Sequence, residues 1–487
     1  MQTPPFDIRN GNPMTDSRKR CKFAVTKPKY YIVMRKGSNN SGTPVFSEVI
    51  KLLDRSQIES TAQNMGANRY TKRLDAYQHL VIMLYATFAG LGSLREIELG
   101  FLSAASRMNH LGLNYMVRRS TLSDANNRRS PQFFAKVYSD LYERHKGILS
   151  DSRPVKGLKR PLFIFDSTTI SLFTEVFRGT GRKPVNGKNK GGVKAHTIMK
   201  ADEDVPVFVS IGDAATADHV LLSKVQLPEG SCVAFDMGYV DYEQYQRFTD
   251  DSIFYVTREK KRCKYKVLDT RKVEEDNEDG IISDEIVELS WYKRVERPMT
   301  AEELSHRRGR RPKNGVVMVK ETRKGKHKCR RITKHKDNPE EGTITFLTND
   351  METSAAVICE TYRRRWQIET LFKRLKQNFP LKYFLGDSRN AIEIQIWVSL
   401  IAWLLMRVIQ ESTKRHWSVS NLMTAVRILL NSYMSLYDFL DCPERQWLEL
   451  IRNRSEDTSP TLFPDIGGPN FESSRTMACL AASTGTN

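Results

Sequence analysis

The chain has 487 residues, 39% of them hydrophobic, with 77 Lys+Arg against 57 Asp+Glu and a net charge of +20. That length exceeds what one core can bury and implies about three units, while the positive balance suits a polyanionic partner that releases counterions on binding. The seven cysteines are scattered with no C-x-x-C pair, and His327, Cys329 and His335 lack a fourth ligand at zinc spacing, so we expect reduced thiols in a cytoplasmic protein and no structural zinc.

Residues 1–44 are polar, basic and rich in Pro, Gly, Asn and Ser, and are expected to be a disordered tail. No secretory signal is visible there, and Met14 and Met34 offer alternative starts. From 45 to 156 the pattern is helical. Residues 77–88 predict a strongly apolar helix ended by Gly90 and Gly92, after which Ser93 caps LREIEL. VRRSTLSDANNRR offers a Ser/Thr cap and a short polar helix flanked by Arg118, Arg119, Arg128 and Arg129. Such a helix can lie on DNA with its N-terminal end toward the duplex, and it can equally be a solvated face.

Near Leu162 the period changes from helical to strand-like. PLFIFDSTT and SCVAFDMGY each read as a short buried strand ending in an aspartate, Asp166 and Asp236. Between them, residues 178–194 are glycine-rich and basic, which predicts a mobile loop able to approach a phosphate backbone. Residues 206–211 predict a strand and 217–222 a helix start, and His196 and His219 are expected to be structural rather than metal ligands. A helix over 242–248 and the strand SIFYVTR follow, with Arg258 and Lys260 emerging at its end.

The next stretch, 262–342, reads as a β-rich insertion in which KYKVLD, IVELSWYKRV, GVVMVKET and CRRITKH alternate as separate strands. Its cationic runs HRRGRRPK and KETRKGKHKCRR would line a DNA channel. Residues 361–380, TYRRRWQIETLFKRLKQNFP, predict one helix: Tyr362, Arg365, Glu369, Lys373 and Lys376 share a stripe, and Ile368, Leu371, Phe372, Leu375 and Phe379 make the apolar stripe beside it. The most apolar run, 396–406, is shorter than a bilayer span and is expected to be a buried helix, part of a helix over 391–410. Helices over 419–433 and 442–453 should follow, then a disordered tail at 454–487.

A buried aspartate is costly to ionise alone. Two at strand ends and one helix glutamate make sense together if they share hard divalent cations, which take a few carboxylates and leave positions for water and phosphate oxygens. Tyr362, Arg365, Glu369 and Lys376 fall at the spacing Tyr-(2)-Arg-(3)-Glu-(6)-Lys. With FDSTTISL, GGVKAHTIM, FDMGYVDYEQYQRF, FYVTREK and FLTND ahead of it, that spacing resembles bacterial insertion-sequence transposases of the DDE class over about residues 162–384.

The resemblance implies an α/β fold with a ribonuclease-H-like mixed-sheet catalytic core (157–261 and 343–390), the β-rich insertion, an N-terminal helical DNA-binding domain (45–156) and C-terminal helices (391–453). It implies that Asp166, Asp236 and Glu369 are catalytic and bind two Mg²⁺ ions, which Mn²⁺ can replace. Tyr362, Arg365 and Lys376 would hold DNA near the cut, with Lys373, Arg258, Lys260, Arg118 and Arg119 as further contacts and Trp291 as an aromatic base holder. Implied partners are double-stranded DNA, at terminal inverted repeats and target, and a second copy of the chain in a homodimer; no membrane is implied. Two alternatives stay open: a nuclease of the same fold that cuts without joining, and a non-enzymatic DNA-binding repressor.

Overall fold

In LFIF, CVAF and FYVTR nearly every position is apolar, the pattern of strands covered on both faces. The computed structural model describes residues 43–451 except 112, 114–115, 150–154, 172–191, 202, 214–221, 223–224, 274–278, 299, 301, 303–315, 337, 339, 341, 380, 382–383, 446 and 450. Its chain divides into two compact units, residues 150–374 with 1–20, and residues 21–149 with 375–487.

The first unit is built on a nine-stranded mixed sheet. In chain order the strands are β1 (Leu162–Ser171), β2 (Gly192–Lys200), β3 (Val205–Asp213), β4 (Cys232–Phe235), β5 (Phe254–Arg258), β6 (Tyr265–Thr270), β7 (Ile281–Pro298), β8 (Val316–His335) and β9 (Thr343–Thr348). Their spatial order is β3-β2-β1-β4-β5-β9-β8-β7-β6. β1, β2 and β3 form an antiparallel meander, β1, β4 and β5 run parallel, and β9, β8, β7 and β6 continue antiparallel. Alternating strand residues feed two cores. Phe163, Phe165, Val233, Phe235 and Tyr255 pack with Tyr245 and Phe248 of the helix Tyr242–Asp250. Leu162, Cys232, Ala234, Val256 and Phe346 pack with Ile358, Cys359 and Tyr362 of the helix Ala355–Arg363.

The insertion therefore extends the same sheet as β1–β5 rather than standing apart from it. GVVMVKET and CRRITKH, expected as two strands, belong to the single strand β8. The charged residues between them keep β pairing with β7, as in Leu289↔His327 and Glu288↔Lys328. The cationic run KETRKGKHKCRR is partly internal as well: Arg330 is buried against Asp284 at 2.5 Å, and Arg331 pairs with Glu259 at 3.1 Å and Glu285 at 3.0 Å. Those arginines serve the sheet and are not free to line a channel. The expected basic loop at 178–194 lies almost wholly outside the described residues, as do most of the helix start at 217–222 and His219.

The second unit is helical. Asp54, Asp75, Ser93, Ser388, Ser418 and Ser435 each accept a backbone N–H as N-caps of the helices Arg55–Asn64, Ala76–Ala89, Leu94–Ser103, Arg389–Ser412, Val419–Leu429 and Leu436–Asp441. Ser93 forms a capping box, its Oγ accepting from Glu96 N while Gly92 N donates to Glu96 Oε2 at 2.7 Å. Gly90, at φ 73°, closes Ala76–Ala89 in the left-handed conformation that only glycine takes cheaply. The polar helix Arg119–Arg128 differs from expectation, because Arg118 stands at its cap position and no Ser/Thr side chain caps it. Arg129 beside it is buried and donates to Leu74 O at 2.9 Å, so it braces the fold.

The apolar run 396–406 lies within Arg389–Ser412, which at 24 residues is long enough to span a bilayer, but 89% of its most apolar window is buried inside the protein. The helix expected over 419–433 stops at Leu429, since Tyr433 turns away to bridge with Pro44. An additional helix, Leu436–Asp441, comes before the one expected over 442–453, with Cys442 as its C-cap, and helical residues 445, 447–449 and 451 follow it.

Candidate active site

β1 and β4 are adjacent and parallel, and their ladder ends at the pair Phe165↔Phe235. The next residue on each chain is an aspartate. Asp166 and Asp236 thus stand side by side at the carboxyl ends of two neighbouring parallel strands, about 4.8 Å apart in backbone spacing and at the edge where open α/β sheets bind ligands. Past Asp166 the strand β1 runs on, as the residues after it were expected to, because the antiparallel pairing with β2 continues to Ser171↔Gly192 after β4 has ended.

The third acid comes from the signature segment, which is not one helix. Ala355–Arg363 and Trp366–Asn378 are separated at Arg364 and Arg365, where backbone N–H groups reach back three residues: Arg365 N to Tyr362 O at 3.0 Å, Gln367 N to Arg364 O at 3.0 Å and Ile368 N to Arg365 O at 3.2 Å. This tight turn is of 3₁₀ type, a feature found at functional positions in helices. It keeps the Tyr362 ring packed on Phe346 with centroids 5.0 Å apart while Arg365 enters the acid cluster.

Tyr362 and Arg365 then each meet an acid. Tyr362 Oη donates to Asp236 Oδ1 at 3.2 Å. The buried Arg365 guanidinium bridges two carboxylates, with Nη1 to Asp166 Oδ2 at 3.2 Å and Nη2 to Glu369 Oε1 at 2.8 Å. Asp166 Oδ1 also accepts its neighbour Ser167 N at 2.7 Å.

The electrostatics follow from this crowding. Burial pushes the Asp166 carboxyl up to about 6, and the negative charges of Glu369 and Asp236 add to the rise against the opposing pull of the Ser167 N–H and Arg365. Both acids are therefore close enough to be felt at Asp166. Burial also holds the Tyr362 phenol well above its ordinary value, and Arg258 opposes that rise, which puts the Arg258 charge near the same hydroxyl. Among the described residues no three acidic, His or Cys side chains converge tightly enough to hold a cation unaided; in this cluster Arg365 supplies the positive charge between the acids.

The structure thus brings together Asp166, Asp236, Glu369, Tyr362, Arg365 and Arg258. Lys260, Lys373 and Lys376 are exposed, the last two on the helix that carries Glu369. Trp291 lies elsewhere on the sheet, half-buried with its ring 6.3 Å from Tyr242 and over Gly325, where any side chain would collide with it. Arg118 and Arg119 belong to the helical unit and are exposed.

Sequence reading missed Asp350. It sits two residues past β9, is buried, accepts Glu352 N and Thr353 N at 3.0 Å each, and pairs with Arg160. The signal was present, since FLTND is a third apolar strand followed by an acid.

The comparisons with known proteins bear on the family of the chain. The transposase DDE domain family matches residues 157–405, and a domain of unknown function (DUF4372) matches 41–114. The chain belongs to the transposase DDE domain family and is a transposase of insertion-sequence type. It is 29% identical over 289 residues to a putative transposase, y4zB, of Sinorhizobium fredii, covering 59% of this chain and 70% of that one. It is 24% identical over 294 residues to a putative transposase for insertion sequence element IS4SA of Synechocystis, covering 60% and 71%. A piggyBac transposase synaptic complex with hairpin DNA aligns over 89% of this chain and 88% of its own at 11% identity, but its TM-score of 0.36 carries no argument. Enzymes of this family generally use divalent metal ions.

Proposed function

We propose that this protein cuts DNA at the terminal inverted repeats of an insertion sequence and joins the exposed 3′ ends to a target, with Asp166, Asp236 and Glu369 as the catalytic carboxylates. The observation that carries this reading is the placement of Asp166 and Asp236 one residue beyond the last pair of the β1–β4 ladder, with Glu369 linked to Asp166 through Arg365. The order β3-β2-β1-β4-β5, a meander followed by two parallel strands, supports a ribonuclease-H-like core. The three acids offer oxygen donors only, which suits hard Mg²⁺, with Mn²⁺ as a substitute. With Arg365 displaced from between them, Asp166, Asp236 and Glu369 would hold such ions, which when bound would supply the charge that activates a water or 3′-hydroxyl and steadies a leaving oxygen.

The other residues act on DNA and on the acids. The Tyr362 hydroxyl orients the Asp236 carboxylate. Arg365, once the acids have another counter-charge, turns its fork to a phosphate near the cut. Arg258, Lys260, Lys373 and Lys376 neutralise backbone phosphates around it, and Arg118 and Arg119 do so from the helical domain at 45–156. The enzyme works as a homodimer on paired ends in the bacterial cytoplasm.

An assay with Mg²⁺ or Mn²⁺, supercoiled target and labelled terminal-repeat DNA tests this. Joined products support it. Cleavage without joining makes the protein a nuclease of the same fold, and retarded but intact DNA makes it a binder.

A further inference from the structure

In the helical unit, Tyr70 is the most exposed large hydrophobic side chain among those described, at 88%, and its φ is 61°. A left-handed backbone is uncommon for any residue but glycine, and worth noting for a bulky aromatic. Burial of the ring does not offset that strain.

The loop around it is rigidly built. Ala67 N donates to Ala62 O at 2.8 Å, Arg69 N to Gly66 O at 3.0 Å and Thr71 N to Asn68 O at 3.1 Å. Asn68 Oδ1 accepts Ala76 N at 2.7 Å, fixing the loop to the start of the buried helix Ala76–Ala89. From below, Arg129 donates to Ala67 O at 3.1 Å and Leu74 O at 2.9 Å, tying both flanks of the loop to the end of the helix Arg119–Arg128. That helix is pinned in turn by Asn126 Oδ1 on His79 Nε2 at 2.8 Å.

What this frame presents is cationic. Arg69, Lys72 and Arg73 are exposed beside Tyr70, Arg128 is exposed next to the bracing Arg129, and the loop's one acid, Asp75, accepts Gln78 N at 2.7 Å as the cap of Ala76–Ala89. The Arg69 guanidinium lies 5.0 Å from the Tyr70 ring centroid, so ring and charge face outward together. A protein partner of ordinary surface would meet several unpaired cations and little apolar area here. A phosphate backbone meets charges matched to it and a flat ring that packs on sugar edges.

We propose that residues 66–75, within the segment matched to a domain of unknown function, form a preorganised docking loop for double-stranded DNA. Arg69, Lys72, Arg73 and Arg128 neutralise phosphates, and Tyr70 packs on the duplex edge. The proposal rests on the transposase reading and deepens it by assigning a DNA surface within the helical unit.

The test uses the full chain and a mixed-sequence duplex of about 40 base pairs, with anisotropy followed over a KCl series. Arg69→Ala/Lys72→Ala/Arg73→Ala should weaken binding at least tenfold near physiological salt and lower the slope of log K against log[salt] by about 2–3. Tyr70→Gly should weaken binding a few-fold with the slope unchanged. Because glycine relieves the left-handed backbone, its Tm should equal or exceed that of the wild type. A triple variant that melts normally and binds duplex with the wild-type affinity and slope overturns the proposal. So does a loss confined to a single strand of the same length. Either result leaves the catalytic reading standing, because that reading fails only if the wild type does not cut DNA.

Discussion

Two arginine–carboxylate clusters in the first unit use the same residue types to opposite ends. In one, Asp284 takes both Arg330 Nε at 2.7 Å and Nη2 at 2.5 Å, and Arg330 Nη1 donates to Thr353 O at 2.5 Å. Close by, Asp350 accepts two backbone N–H groups and the Thr353 hydroxyl at 2.7 Å, besides Arg160. Burial pushes the Asp350 carboxyl up, yet those donors outweigh it and leave its pKa below the ordinary value. In the other cluster, one arginine is divided between Asp166 and Glu369, with Asp236 near by, and Asp166 ends up raised to about 6. The first set of charges is satisfied by the fold. In the second, burial outweighs the donors and leaves Asp166 the harder acid to ionise, which is the kind of perturbation that marks a candidate site.

The comparison breaks most visibly at Asp236. Asp236→Asn keeps the shape but removes one carboxylate charge from the cluster, so DNA cleavage should fall on the order of a thousandfold, about 4 kcal/mol in the barrier. Duplex affinity measured by gel shift should stay within a few-fold. A variant that cuts at the wild-type rate removes Asp236 from the catalytic set.

On the satisfied side, Arg330→Ala should act on stability. It strands Asp284, 5% exposed, without its guanidinium, and breaking a buried pair in this way costs about 3–5 kcal/mol. Urea denaturation reads it. A loss below about 1 kcal/mol would mean that water reaches Asp284 and that the pair is not a buried one.

How much of this was legible before the structure depends on whether the contacts are local. FIFD and VAFD announce two covered strands, each followed by an acid, and the Tyr362–Arg365–Glu369 spacing is readable because all three share one short segment. The tight turn at Arg364 and Arg365 was not legible, since helix periodicity carries through it while the cause is Arg365 reaching Asp166, 199 residues away in sequence. Arg330 shows the limit best: inside a run of cations it reads as a DNA contact, and only Asp284, 46 residues earlier, makes it structural.

Asp166 sharpens the contrast through pH. Its folded pKa of about 6 exceeds the ordinary 3.8, so between roughly pH 4 and 6 the native state binds more protons than the unfolded one, and stability falls as pH rises through that window. The ceiling is about 2 pH units, or about 3 kcal/mol. In EDTA, Asp166→Asn should abolish this fall and leave the protein about 1–2 kcal/mol more stable near pH 7.5, the gain being trimmed because Arg365 loses one partner and keeps Glu369. Thermal melts at pH 4 and pH 7.5 decide it, and a variant with the wild-type pH dependence would show that Asp166 is not the strained acid.

The smallest effect is expected at Tyr362. Tyr362→Phe keeps the ring on Phe346 and removes one hydroxyl, whose bond to Asp236 is 3.2 Å long. Stability should change by less than about 1.5 kcal/mol, the usual net value of one hydrogen bond. Cleavage should drop about three- to tenfold, because Asp236 keeps its charge and loses only the donor that fixes its orientation. The two readouts separate the roles of the side chain. A large loss of stability with full activity would make Tyr362 a packing residue, while a loss of cleavage equal to that of Asp236→Asn would mean that the hydroxyl itself takes part at the phosphate.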